Sequence, residues 1–100
     1  MNIDLERGRI FVRPGSTDMR KQINGLAVIA EALMAQQPFS GNLFLFCGKK
    51  RNVLKVLYWE RNGFCLWMKR LEKEKVPWPS GDTEAREIDR EQILLLLRGI

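Results

Sequence analysis

Cations, rather than nucleophiles or paired acids, are the side chains through which this sequence could act. Lys49-Lys50-Arg51 stand together, with Lys55 just beyond. Three adjacent cations in a turn can meet phosphates, and each phosphate neutralised adds salt-dependent affinity. The same run would also serve as a solvated turn that discourages aggregation. Arg20-Lys21 form a second group, preceded by Arg9 and Arg13, and Lys69-Arg70 form a third. If Arg20 and Lys21 lie in the first turn of a helix, the dipole disfavours them by about 0.3–1 kcal/mol. Their presence there makes sense if an anion docks against the helix start, or if Asp18 pairs with one of them. Tyr58 and Trp67 beside Lys69, with Trp78 between Pro77 and Pro79, interleave aromatics with charge. Such rings can stack on unpaired bases, although large aromatics on a small sheet ordinarily belong to its core.

Other chemistry lacks parts. The chain has no histidine, which removes Ser-His and Cys-His pairs and the usual zinc ligands. Gly8 to Gly15 has neither the spacing of a phosphate-cradling loop nor the Lys-Ser or Lys-Thr that closes one. A nuclease or transposase site needs clustered carboxylates to hold paired metals. Here Asp18, Glu31, Glu60, Glu72 and Glu74 are dispersed. Cys47 and Cys65 fall among Phe46, Phe64 and Leu66, where cysteine behaves as a small hydrophobe. The expectation is therefore no enzyme, no catalytic residue, no metal and no cofactor.

The elements that must carry the cations can be read from pattern. Arg9 to Arg13 reads as a short strand stopped by Pro14-Gly15. Ser16-Thr17 offers a helix cap, with Asp18 at the positive end of the dipole. Met19, Ile23, Leu26, Ala30 and Leu33 then mark the apolar stripe of a helix over 18–37, ended by Pro38. Leu43–Cys47, apolar on both faces, predicts a central strand. Val53–Trp59 and Phe64–Leu71 predict a hairpin turning on Asn62-Gly63. That turn would set Trp59 opposite Leu66, Tyr58 opposite Trp67, Leu57 opposite Met68 and Val56 opposite Lys69. Leu57, Trp59, Phe64, Leu66 and Met68 would share a core face, and Val56, Tyr58, Cys65, Trp67 and Lys69 a partly buried one. Asp89 with Gln92 predicts the capped start of a short helix, with Gly99 as its stop. Within it, Ile93 to Leu97 are apolar all the way round, so the helix is deeply buried or lies in an interface. Leu94 and Leu97 would then face the domain and Leu95 point away, making Leu94, Leu95 and Leu96 the candidate interface for a second copy or another protein. The fold expected is α+β: an antiparallel sheet of about four strands, covered on one face by the long helix, with a short C-terminal helix.

Composition agrees with a single domain over residues 1–100. No apolar run is long enough to span a membrane, and the acidic start Met1 to Arg7 is no secretory signal. Two cysteines make no disulfide framework, so a cytoplasmic protein without membrane contact is expected. The net charge is +5 and the isoelectric point about 9.6. It is unevenly spread: residues 1–80 hold fourteen basic and seven acidic side chains, a net of +7, whereas residues 81–100 hold three and five, a net of −2. A basic body suits a polyanionic partner such as DNA, although modest positive charge also serves solubility.

Several blocks carry a family likeness in order. These are Thr17-Asp18-Met19-Arg20-Lys21 with Gly25-Leu26, Pro38-Phe39-Ser40-Gly41 with Leu43-Phe44 and Phe46, Lys49-Lys50-Arg51, Leu54-Lys55, Leu57-Tyr58-Trp59, Gly63-Phe64, Leu66, Lys69-Arg70-Leu71-Glu72 and Trp78-Pro79. Over about residues 8–98 the chain resembles the small TnpB-type accessory proteins of IS66-family bacterial insertion sequences, departing mildly at Lys49-Lys50, where arginines are common. These are unrelated to the RNA-guided nuclease that shares the TnpB name. The resemblance implies an accessory protein encoded beside a separate DDE-type transposase and needed for mobility of the element, and it implies no reaction. A DNA-binding or transpososome-assembly factor is expected, with an adaptor that touches only the transposase as the alternative. The expected partners are DNA, the transposase and, in a homo-oligomer, a second copy of the chain. Its expected DNA-facing residues are Arg20, Lys21, Lys49, Lys50, Arg51, Lys55, Lys69 and Arg70.

Overall fold

The computed structural model describes residues 8–81 and 84–98. Five strands form one mixed sheet, flanked by helix on both faces: β1 (Ile10–Val12), β2 (Leu43–Cys47), β3 (Val53–Glu60), β4 (Gly63–Arg70) and β5 (Arg86–Ile88), in the order β4-β3-β2-β1-β5. The class is α+β, as the pattern predicted, but the sheet is not purely antiparallel. β1 runs parallel to β2, with Ile10 beside Leu43 and Val12 beside Leu45. The reason is connectivity: a helix separates these neighbouring strands, and a helical crossover returns the chain in the same direction. β5 escaped the pattern because three residues, two of them charged, give no alternation. It pairs antiparallel with β1.

The crossover helix starts later than its sequence suggests. α1 covers Ile23–Val28 and continues as a π-helical stretch over Ile29–Leu33. Its cap is Gln22, which makes no side-chain cap hydrogen bond. Residues 18–21 form a turn instead, closed by the Lys21 N–H donating to the Asp18 carbonyl at 3.1 Å. Arg20 and Lys21 therefore lie outside the helix, and the dipole penalty argued for them does not apply. The π stretch also changes which residue points inward. Met34 N–H donates to the Ile29 carbonyl at 2.9 Å, the i→i+5 bond of a wider turn. Met34 is consequently buried and Leu33 exposed. Ala35, at φ 55°, ends the element.

The main hairpin is two residues out of the expected register. Its loop is Arg61-Asn62, with Arg61 at φ 53°, and Glu60 opposes Gly63. Trp59 therefore faces Phe64, Tyr58 faces Cys65, Leu57 faces Leu66 and Val56 faces Trp67. A shift by two preserves which side chains share a face, because the pleat repeats every two residues.

Both faces are covered. On one, Phe11, Phe44, Phe46 and Leu57 pack against Leu26, Ile29, Ala30 and Met34, with Phe64 and Leu66 at the margin. On the other, Val12, Leu45, Cys47, Leu54, Val56 and Tyr58 meet Val76, Trp78, Ile93 and Leu96. The face expected to be only partly buried is thus a second core, roofed by the 76–78 segment and by α2 (Arg90–Arg98). α2 opens with the expected reciprocal cap: Gln92 N–H donates to Asp89 Oδ1 at 2.8 Å, and Asp89 N–H donates to Gln92 Oε1 at 2.9 Å. The expected stop at Gly99 and the leader reading of Met1 to Arg7 lie outside the described residues.

Candidate nucleic-acid interface

Because β1 and β2 are parallel, their carboxyl ends leave the sheet on the same side, and β3 begins there. The loop after β1, the β2–β3 turn and the segment after β4 converge at this end. Main-chain bonds lock them together. Thr17 N–H donates to the Cys47 carbonyl at 2.8 Å, Leu71 N–H to Asn52 at 2.7 Å, Val76 N–H to Arg51 at 2.6 Å and Gly15 N–H to Pro79 at 3.0 Å. The Trp78 indole N–H donates to the carbonyls of Arg13 and Gly15, at 3.0 and 2.9 Å. Gly48 admits the Met19 side chain so closely that a Cβ there would stand 2.6 Å from Met19 Cγ.

This convergence brings Lys49, Lys50, Arg51, Arg20, Lys21 and Arg70 to one end of the molecule, all exposed. Arg51 adopts φ 60° at the turn. Lys73 and Lys75 join them, and the Lys75 ammonium leans on the Lys50 carbonyl at 3.4 Å. Nothing in the sequence marks these two as site residues, since their approach to the turn depends on how the chain returns after β4. Two of the cations are partly neutralised. Arg20 chelates Asp18, with its Nη2 2.8 Å from Oδ2, and holds that carboxyl well below the usual carboxylate range. Arg70 pairs with Glu72 at 3.1 Å. Lys21, Lys49, Lys50 and Arg51 have no ion-pair partner among the described residues.

Lys55 and Lys69 do not belong to this surface. Lys55 is 2% exposed, and its ammonium donates to the carbonyls of Met19 and Lys21 at 2.9 and 2.8 Å. A group so enclosed cannot reach a phosphate; it fixes the turn that presents Arg20 and Lys21. Lys69 is half-buried and donates to the Leu97 carbonyl at 2.6 Å, near the carboxyl end of α2. The aromatic stacking face is also absent, because Tyr58 and Trp78 are buried and Trp67 packs against them.

Hollows border the turn, among them two with Arg51 in their lining. A small one of about 210 Å³ is lined by Lys49, Arg51, Ser16 and Ser80, with Trp78, Pro79 and the main chain at Gly15 and Gly48. The two glycine N–H groups are taken by the carbonyls of Pro79 and Val53, which leaves the two cations and the serine hydroxyls as donors for an anion. A larger groove of about 520 Å³ runs between Trp78 and α2, with Arg51, Arg86 and Gln92 at its rim and Ile88, Leu95 and Leu96 in its walls. Of the three leucines expected at an interface, only Leu95 is exposed, at 50%; Leu96 is 7% exposed and Leu94 half-buried. The helix turns Ile93 and Leu96 into the core instead.

Among the described residues, no group of three His, Cys, Asp or Glu side chains could hold a metal. Cys47 is buried, which pushes its thiol up to about 11, and Cys65 is half-buried. No helix among the described residues is long and apolar enough to cross a membrane.

A family profile described as IS66 Orf2 like protein matches residues 8–100. Two curated relatives from Sinorhizobium fredii (strain NBRC 101917 / NGR234) are the uncharacterized proteins y4hO and y4jC. They are 37% and 30% identical over 92 residues, covering 92% of this chain and 80% and 79% of their own lengths. No solved structure matches the chain.

Proposed function

Because the chain belongs to the IS66 Orf2-like family, the accessory proteins of an insertion sequence, we propose that it assists transposition without catalysing a step, by holding DNA against the basic end of its sheet. The observation that carries this reading is the gathering of Lys21, Lys49, Lys50 and Arg51, exposed and without ion-pair partners among the described residues, at one end of the sheet, where Lys49 and Arg51 line an anion-sized hollow. Such a surface contacts phosphates and carries no base-reading element, so binding is electrostatic and tolerant of sequence. The test is a mobility-shift titration on element-end and random duplexes over a range of salt. Replacing Lys49, Lys50 and Arg51 together with Ala weakens binding to both duplexes. It also flattens the salt dependence, by roughly one unit of slope for each phosphate the variant no longer neutralises. An unchanged slope in a folded variant removes this surface from the account.

The groove beside α2 favours a second contact, with the transposase. Leu95 stands exposed over an apolar floor, and Arg51 and Arg86 at the rim have no ion-pair partner among the described residues. An acidic segment bearing an apolar side chain fits that chemistry. Leu95→Lys is expected to keep DNA affinity while losing capture of the purified transposase. If it retains both, the groove has no part in assembly. An accessory protein acting on bacterial DNA in this way works in the cytoplasm.

A further inference from the structure

The two edges of the sheet differ in kind. β5 is three residues long and bears Arg86 and Glu87, with Glu87 tied to Arg9 at 2.6 Å. Short length and charge are the usual protection of an edge. β4 is less protected: it runs eight residues without a bulge, its centre is Phe64-Cys65-Leu66-Trp67-Met68, and its charges, Lys69 and Arg70, stand together at the carboxyl end. Its outer side pairs with no strand among the described residues, and Met68 is 58% exposed. The Arg61-Asn62 loop closes on the Glu60–Gly63 pair, which in a two-residue hairpin is hydrogen-bonded. Alternation along the ladder then aims the main-chain groups of Cys65, Trp67 and Lys69 at β3. Those of Phe64, Leu66 and Met68 point outward, away from β3.

That outward set is self-complementary, and we propose that β4 pairs antiparallel with β4 of a second copy across a two-fold axis at Leu66. In this register Leu66 meets Leu66 and Phe64 meets Met68, each in a hydrogen-bonded pair formed by the groups that already face outward. Cys65 meets Trp67 on the opposite face, and Lys69 meets Gly63, so no like charges oppose one another. The occupant is a second copy, because both the main-chain phase and the apolar pairs match under one symmetry operation, as an isologous interface requires. The alternative of a two-fold at Trp67 sets Arg70 against Phe64 and Lys69 against Cys65, a poorer match. Exposed Met68 is then covered, and the two sheets join as one.

Light scattering on the purified chain, without DNA, reads the mass directly. The expected result is twice the 11.7 kDa of one chain, with Met68→Lys weakening association at least tenfold while the circular dichroism spectrum is unchanged. Register is tested separately by Trp67→Cys, which sets the new thiol opposite Cys65 of the other copy in a non-hydrogen-bonded pair. Mild oxidation should give a covalent dimer that disappears when Cys65→Ser is added. A wild-type monomer up to millimolar concentration, a dimer indifferent to Met68→Lys, or a cross-link surviving Cys65→Ser each overturns the proposal. None of these results depends on DNA binding.

Discussion

Burying an ammonium group costs several kcal/mol unless acceptors replace its water, and Lys55 has its acceptors in two main-chain carbonyls. Its value lies in position, because it ties β3 to the turn bearing Arg20 and Lys21. Lys55→Ala leaves both carbonyls without their donor and opens a gap under the turn. It is expected to cost about 2–4 kcal/mol of stability, read from urea unfolding. Arg20→Ala removes only a solvent-screened pair and should leave the unfolding midpoint close to that of the parent. Cys47 offers a pH test. Burial raises its thiol from 9.0 to about 11, so the folded state holds the proton more tightly than the unfolded state. Its contribution is intact below pH 9 and is lost as pH rises from there through about 11. Cys47→Ala should flatten the alkaline fall in stability over that interval; an equally steep fall would show that other groups cause it. Residue types alone could name the cations but could not separate Lys55 from Lys50. A lysine in a strand announces its charge and not the carbonyls that will enclose it.

Elements whose signals are local were legible, and those set by tertiary contact were not. The Asp89–Gln92 cap forms as its spacing required, and the central strand β2 is buried on both faces as its unbroken apolar run required. Asp89→Ala should cost about 1 kcal/mol, together with thermal loosening of the face that α2 covers. A shift in α2 amide exchange with no global loss would confine the cap to that helix. The helix start was misplaced because Ser16, Thr17 and Asp18 satisfy every cap preference locally, yet Thr17 N–H is taken by Cys47 of β2. The hairpin register was misplaced because Asn-Gly is favoured in a two-residue loop, yet the loop sits one residue earlier at Arg61-Asn62. There the eight-residue ladder opposes Leu57 to Leu66 and Trp59 to Phe64 over the helix-side core. Packing of aromatics across the whole ladder outweighs one unfavourable loop residue, since a left-handed arginine costs about 1–3 kcal/mol.

At the scale of the molecule, the chemistry divides between poles. Cations gather at the end where β1 and β2 finish, while the free edge of β4 lies along a side. An antiparallel β4 pair turns the two basic ends in opposite directions. Leu66 stands four residues from Arg70, about 13 Å at about 3.3 Å per residue. A two-fold at Leu66 therefore sets the Arg70 positions roughly 26 Å apart along the strand direction, too far for both basic ends to share one phosphate cluster. With its basic ends facing apart, a dimer of this kind has a separate phosphate-binding surface at each end, a geometry suited to bringing element ends together. This predicts that the wild-type chain retains a labelled duplex on beads carrying a second duplex. Met68→Lys should bind each duplex singly, with an unchanged salt slope, and lose that retention. The Lys49, Lys50 and Arg51 alanine variant should lose retention through weakened binding while remaining dimeric in light scattering. If Met68→Lys bridges as well as its parent, two basic surfaces on one copy must do the bridging, and the β4 pair has no part in it.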